Sequence, residues 1–195
     1  MNKKNIVLTK DKVLQFLNHK KNQDIGCFDS IIEECIEKIE IMSQPKFISD
    51  KQEIVLVSDN EVILKNGITL KGNAIKKLLE DCVFAIITVA TIGYEADKRV
   101  MALQKISPSK ALVMNAAASA MVETLTDTLH KEIIKEYGQK YVSARFSPGY
   151  KDLPLKTNKD IVDKYNLTKK FGILINDSYL MSPSKTITAI TGIKR

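Results

Sequence analysis

The sequence predicts an α+β fold. Helical periodicities and strand-like runs follow one another irregularly, without the repeated βαβ alternation of a doubly wound sheet. Asn66-Gly67 is a strong hairpin turn between two β-like stretches. Cys82 to Thr91 is a continuous apolar run, as expected of a strand covered on both faces. A parallel arrangement stays open for that run alone.

Taken in order, Val13, Leu14 and Leu17 predict a short helix ending near Asn18-His19. Asp29 or Ser30 can cap a second helix, in which Ile31, Ile32, Cys35, Ile36, Ile39 and Met42 recur at helical spacing. Pro45 closes it. Ile54 to Val57 and Val62 to Leu64 read as strands, followed by the Asn66-Gly67 turn and Ile68-Thr69-Leu70. Asn73 to Leu79 is a short helix. The Cys82 run stops at Gly93, and Tyr94 to Leu103 is again helical.

Ser107-Pro108 starts the longest helix, since proline suits the first turn. Its apolar stripe is Met114, Ala118, Met121, Leu125, Leu129 and Ile133, and Gly138 ends it. Asn115 to Ala120 holds almost only small side chains, which suits either tight helix packing or the approach of a flat ligand. Tyr141 to Phe146 is read as a strand leading into a Ser147-Pro148-Gly149-Tyr150 loop. Asn158 to Tyr165 is a short helix, Phe171 to Ile175 is β-like, and Lys185 to Ile193 alternates as a closing strand.

Composition narrows the function classes. The 195 residues are 44% hydrophobic and 27% charged, in the range of globular domains. No apolar run reaches the roughly 18 residues needed to span a bilayer. The basic start, Met1 to Asn5, is not followed by a signal-peptide core, so a cytoplasmic protein is expected. Cys27, Cys35 and Cys82 show no metal-ligand spacing, and Cys35 and Cys82 lie in apolar patterns expected to be core. His19 and His130 lack ligand spacing as well. The net charge of +7 comes from scattered lysines without interleaved aromatics, so no nucleic-acid partner is expected. An acidic protein partner and a merely solvated lysine surface both fit.

Dinucleotide, phosphate-loop, zinc-protease and serine-hydrolase motifs are absent. An enzyme built this way would use a bound cofactor for its chemistry, and no catalytic side chain is expected. The most informative segment is Arg145-Phe146-Ser147-Pro148-Gly149-Tyr150. Arginine offers a planar fork of donors to a carboxylate. Glycine lets the backbone approach a ligand, and tyrosine can cover a planar ring. That combination suits an amino acid joined to a nucleoside, although a plain structural turn has the same composition.

Arg145 to Tyr150 resembles the RxxPGY segment in the activation domain of cobalamin-dependent methionine synthases. Other stretches agree in the same order. Glu123 to Glu132 resembles the family's helix with an acidic residue followed by Leu-His-x-Glu, and Asn176 to Pro183 resembles its TESxxMxP stretch. The small free-standing members share the Thr91-Ile92-Gly93 turn, the alanine-rich helix and the Ser147 to Pro154 pattern. The resemblance covers residues 83–193 well and residues 1–80 loosely, within one domain spanning 1–195.

What the resemblance implies is a C-shaped α+β domain with a twisted antiparallel sheet flanked by helices. S-adenosylmethionine would bind with its carboxylate on Arg145, its nucleoside near Ser147, Gly149 and Tyr150, and its cationic end near Glu123. Asp127, one turn after Glu123, is a like charge at a spacing expected on a solvated helix face. The family's second glutamate falls on Gln139 and its C-terminal tyrosine near Thr191. Its amino-group aspartate has only Asp24 and Asp29 as candidates. The implied activity is reductive methylation, part of a methyltransferase system. Flavodoxin or a similar donor supplies an electron, and cobalt in cobalamin takes the methyl group of S-adenosylmethionine. No D-x-H-x-x-G cobalt-ligand motif is present, so cobalamin would arrive on a separate methionine synthase chain. The alternatives are reactivation of another corrinoid methyltransferase, a non-catalytic S-adenosylmethionine-binding docking module, or an unrelated structural domain.

Overall fold

The computed structural model describes residues 6–19, 26 and 28–195. Met1 to Asn5, Asp24 and Cys27 lie outside the described residues. The chain runs α1 (Lys10–Phe16), α2 (Phe28–Met42), β1 (Lys46–Val57), β2 (Glu61–Leu64), β3 (Thr69–Lys71), α3 (Asn73–Leu79) and β4 (Cys82–Thr91). It continues through α4 (Glu95–Ile106), α5 (Pro108–Tyr137), α6 (Thr157–Lys164), α7 (Leu167–Phe171), β5 (Leu174–Ile175), β6 (Met181–Ser182) and β7 (Thr186–Lys194). The α+β expectation holds.

Five strands form one curled antiparallel sheet in the order β3-β2-β1-β4-β7, and β5 and β6 make a separate hairpin. The Cys82 run is therefore antiparallel to both of its neighbours, which removes the parallel alternative. The 12-residue strand β1 causes the curl. Its first part, Lys46 to Glu53, pairs with β4, and its end, Ile54 to Val57, pairs with β2 across a register shift. An irregularity of this kind bends a strand and increases its twist.

Both faces of β4 are covered, which explains its uninterrupted apolar sequence. Ala85, Ile87 and Val89 join a core with Ile75 of α3, Ile161 of α6 and Leu167 of α7. Ala90 of β4, Ile92 just past it, and the buried faces of α1, α2, α4 and α5 form the core on the opposite face. Cys35 and Cys82 are buried, and burial pushes both thiols up.

Helix α5 begins at Pro108 and ends at Gly138, whose φ of 88° suits glycine. The expected stripe is buried, and so are Ala111, Val113, Ala116, Ala117, Ala120 and Val122. The buried surface is wider than one stripe because α1, α2 and α4 all pack against this helix. The small residues thus serve close helix packing. Among the described residues, no helix is long and apolar enough to cross a membrane.

Three local expectations are corrected. Helix α2 starts at Phe28, which puts Asp29 inside the first turn instead of at a cap. The strand read from Tyr141 reduces to single bridges at Val142 and Phe146. The β-like reading from Phe171 fails at its start. Asn166 and Gly172 both adopt left-handed conformations and bound the short α7, so β5 begins only at Leu174.

Candidate functional site

The site is built where the chain leaves α5 and runs back along the outer edge of β7. The Ser143 N–H donates to the Gly192 carbonyl at 2.9 Å, and the Gly192 N–H donates to Ser143 Oγ at 2.8 Å. Phe146 and Ile190 exchange backbone hydrogen bonds of 2.9 and 2.8 Å. These tethers cover an otherwise open sheet edge. They also turn Phe146 into the core beside Ile190 and leave Arg145 to reach toward α5.

There Arg145 meets two carboxylates. Its Nη2 donates to Glu123 Oε1 at 2.5 Å and to Asp127 Oδ1 at 2.7 Å. The second oxygen of Asp127 accepts from Lys12 Nζ of α1 at 2.7 Å. Glu123 and Asp127 are one helical turn apart, so their like charges would repel on a bare surface. The guanidinium between them removes that conflict. The solvated-face reading of Asp127 is thereby corrected, because the residue is a structural partner of Arg145. Side-chain exposures of 23% for Arg145, 29% for Glu123, 33% for Asp127 and 26% for Lys12 put the network partly under cover, where salt screens less.

His130 lies one turn beyond Asp127. Burial first, and then the Arg145 charge, push its imidazole pKa down, with Asp127 opposing. Its Nδ1 is 3.5 Å from the Thr191 hydroxyl. Thr191 is buried against α5, so it does not offer the ring contact of the family's tyrosine. Gln139 is exposed in a 3-10 turn after α5. Asp29 pairs with Lys10 of α1.

Ser147 to Tyr150 forms a reverse turn closed by the Tyr150 N–H on the Ser147 carbonyl at 3.1 Å. Gly149 has φ 87°, the left-handed value that a type II turn needs at that position. Its N–H donates to the Leu153 carbonyl at 2.9 Å. The loop itself uses that donor, which leaves the carbonyls of the turn for any contact to a ligand. Tyr150 is 58% exposed, and its ring packs edge-on against Phe146 at 5.3 Å.

Asp152 holds this loop in place. Its carboxylate accepts from the Asn73 N–H at 2.6 Å and the Ala74 N–H at 3.1 Å, capping α3 from a remote part of the chain. Gly72 itself brings no side-chain cap, and a Cβ there would lie 2.8 Å from the Asp152 carbonyl.

Of the expected site residues, Arg145 and Glu123 touch, and Ser147, Gly149 and Tyr150 share one turn two residues further on. Lys12 and Asp152 carry no sequence signal for this site, and Asp127 reads in the sequence only as a solvated like charge. The spacing of Asp127 from Glu123 was a usable signal, whereas nothing near Lys12 pointed across 115 residues to α5. Both Arg145 bonds go through Nη2, and a guanidinium carries five donors in all, so it can also grip a carboxylate at another edge. Beside Glu123, an open depression of ≈ 280 Å³ is lined by Lys12, Gln15 and Phe16.

No protein-family model matches the sequence, and no curated protein matches it. Among solved structures the chain is similar to the MetH reactivation domain bound to AdoHcy, with a TM-score of 0.68 and 14% identity over 98% of this chain and 71% of that one. At that identity the shared property is the fold: a curled antiparallel sheet flanked by helices.

Proposed function

We propose that this chain binds S-adenosylmethionine and reactivates a cobalamin-dependent methionine synthase by reductive methylation, with cobalamin carried on a partner chain. The observation that carries the reading is Arg145. It is a partly covered guanidinium held on the sheet edge between two carboxylates, in a fold shared with a reactivation domain that binds AdoHcy.

The residues suit the ligand's charges. S-adenosylmethionine has one carboxylate and two cationic centres. The carboxylate would take a free edge of Arg145, and Glu123 would face a cation. The existing Arg145–Glu123 pair would then lie between two complementary ligand charges, so neither protein charge is left unpaired. Ser147, Gly149 and Tyr150 would lie along the nucleoside, with backbone carbonyls and the exposed Tyr150 ring as contacts. When bound, the sulfonium supplies an activated methyl group, and the partner's cobalt supplies the nucleophile. This chain's task is to bind and orient, which needs no general acid, base or nucleophile of its own. Electron delivery falls to flavodoxin or a similar donor.

Titration calorimetry tests the binding step. The wild-type chain is expected to bind S-adenosylmethionine, and Arg145→Ala should weaken that binding about 10- to 100-fold, the range for a lost charge-assisted contact. Equal affinity in the two proteins would remove Arg145 from the site. No binding by the wild type would remove the proposal.

A further inference from the structure

We infer that Lys12, acting through Asp127, sets how strongly the site at Arg145 distinguishes a sulfonium from a thioether; this rests on the S-adenosylmethionine reading above. The four side chains Glu123, Arg145, Asp127 and Lys12 form a continuous chain of alternating charge. Two cations and two anions sum to zero. Asp127 divides its oxygens, Oδ1 to Arg145 and Oδ2 to Lys12, each at 2.7 Å. Lys12 thus keeps Asp127 from turning its whole charge on the guanidinium and leaves that fork available to a ligand.

The position of Lys12 is fixed by packing. Helix α1 is seated on α5 through Val13, which is fully buried. Thr9 caps the helix through the Lys12 N–H. With the network about a quarter to a third exposed, a unit of charge gained or lost there acts through a medium less polar than water.

S-adenosylmethionine and S-adenosylhomocysteine share a carboxylate, an ammonium and a nucleoside. They differ by one methyl group and one positive charge. The ratio of their dissociation constants therefore reports the local potential and is insensitive to general damage, which weakens both ligands together. Lys12→Met leaves the network at −1 and should raise the preference for the sulfonium. Asp127→Asn leaves it at +1 and should lower that preference.

The experiment is calorimetric titration of both nucleosides into wild type, Lys12→Met, Lys12→Arg, Asp127→Asn and the Lys12→Met/Asp127→Asn double variant. Coulomb's law for a unit charge one side chain removed from the ligand, in an intermediate dielectric, gives a shift of about three- to tenfold in the ratio, up for Lys12→Met and down for Asp127→Asn. The double variant, neutral again, should return to within about twofold of wild type, and Lys12→Arg should stay there. A purely structural role would make the double variant worse and leave the ratio unmoved. A flat ratio, or shifts of one sign in both single variants, would overturn the inference while the binding proposal stood. If the wild type bound neither nucleoside, both would fall. Should Asp127→Asn not fold, Lys12→Met against Lys12→Arg decides alone.

Discussion

Asp152 is the residue on which the position of the Pro-Gly-Tyr turn depends, and Asp152→Ala measures that dependence. The carboxylate accepts hydrogen bonds from two backbone N–H groups at the start of α3, 2.6 Å from Asn73 and 3.1 Å from Ala74. No side chain of the local sequence caps this helix. Losing a helix cap costs about 1 kcal/mol, within a range of roughly 0.5–2. Removing the negative charge from the helix start adds about 0.3–1 kcal/mol. The sum is about 1–2 kcal/mol. For a chain of this size that corresponds to a fall of about 2–8 °C in Tm. Urea unfolding followed by far-UV circular dichroism, extrapolated linearly, reads the change directly. Asp152→Asn keeps an acceptor oxygen and should lose less than half as much. An Asp152→Ala midpoint indistinguishable from wild type would refute the anchoring role. A midpoint unchanged in Asp152→Ala but lowered in Asp152→Asn would refute the capping geometry as well.

Two other outcomes follow from the charges. Arg145→Met removes one of the influences that depress the His130 imidazole, so its NMR titration midpoint should rise; an unchanged midpoint would separate Arg145 from this face of α5. Glu34 of α2 accepts from Lys110 of α5 and from Lys38, and these bonds, Lys110 first, lower its carboxyl to about 2 from 4.5. A depressed carboxyl stabilises the fold above its unfolded value and loses that contribution as pH falls through the folded one. The stability gap between wild type and Glu34→Gln should therefore be full above pH 4.5 and shrink toward pH 2, and it should shrink with salt because the group is solvent-accessible. A gap independent of pH would contradict the pairing.

Much of the fold was legible because its signals are local. The β2–β3 hairpin, strand β4 and helix α5 fall where the sequence places them, since an Asn-Gly turn, a continuous apolar run and a proline-to-glycine span each carry their own boundaries. The first half of β1 was not legible. Lys46 to Glu53 is rich in charge and lacks clean alternation, and its structure comes from pairing with β4. Polar Asp50 is accommodated there by the Tyr165 hydroxyl, which donates to it at 2.7 Å from 115 residues away. Burial and that bond both raise the Tyr165 pKa.

The candidate site shows the same division. Arg145 and its turn were visible as a motif. The reason Arg145 points at α5 was not, because it depends on tethers to Ile190 and Gly192 that only the folded sheet supplies. Asp127 looked like a solvated charge since helical spacing alone cannot reveal a cation arriving from another segment. Lys12 had no local signal of any kind.

The central claim is that this chain presents S-adenosylmethionine to cobalt held by another protein. The most direct measurement is optical. A cobalamin-loaded methionine synthase lacking its own activation domain, poised as cob(II)alamin, is mixed with S-adenosylmethionine and a low-potential reductant. The account predicts the methylcobalamin spectrum when this chain is added, and little of it with Arg145→Ala. An unchanged cob(II)alamin spectrum in the presence of the wild-type chain, or conversion equally fast without it, would contradict the account.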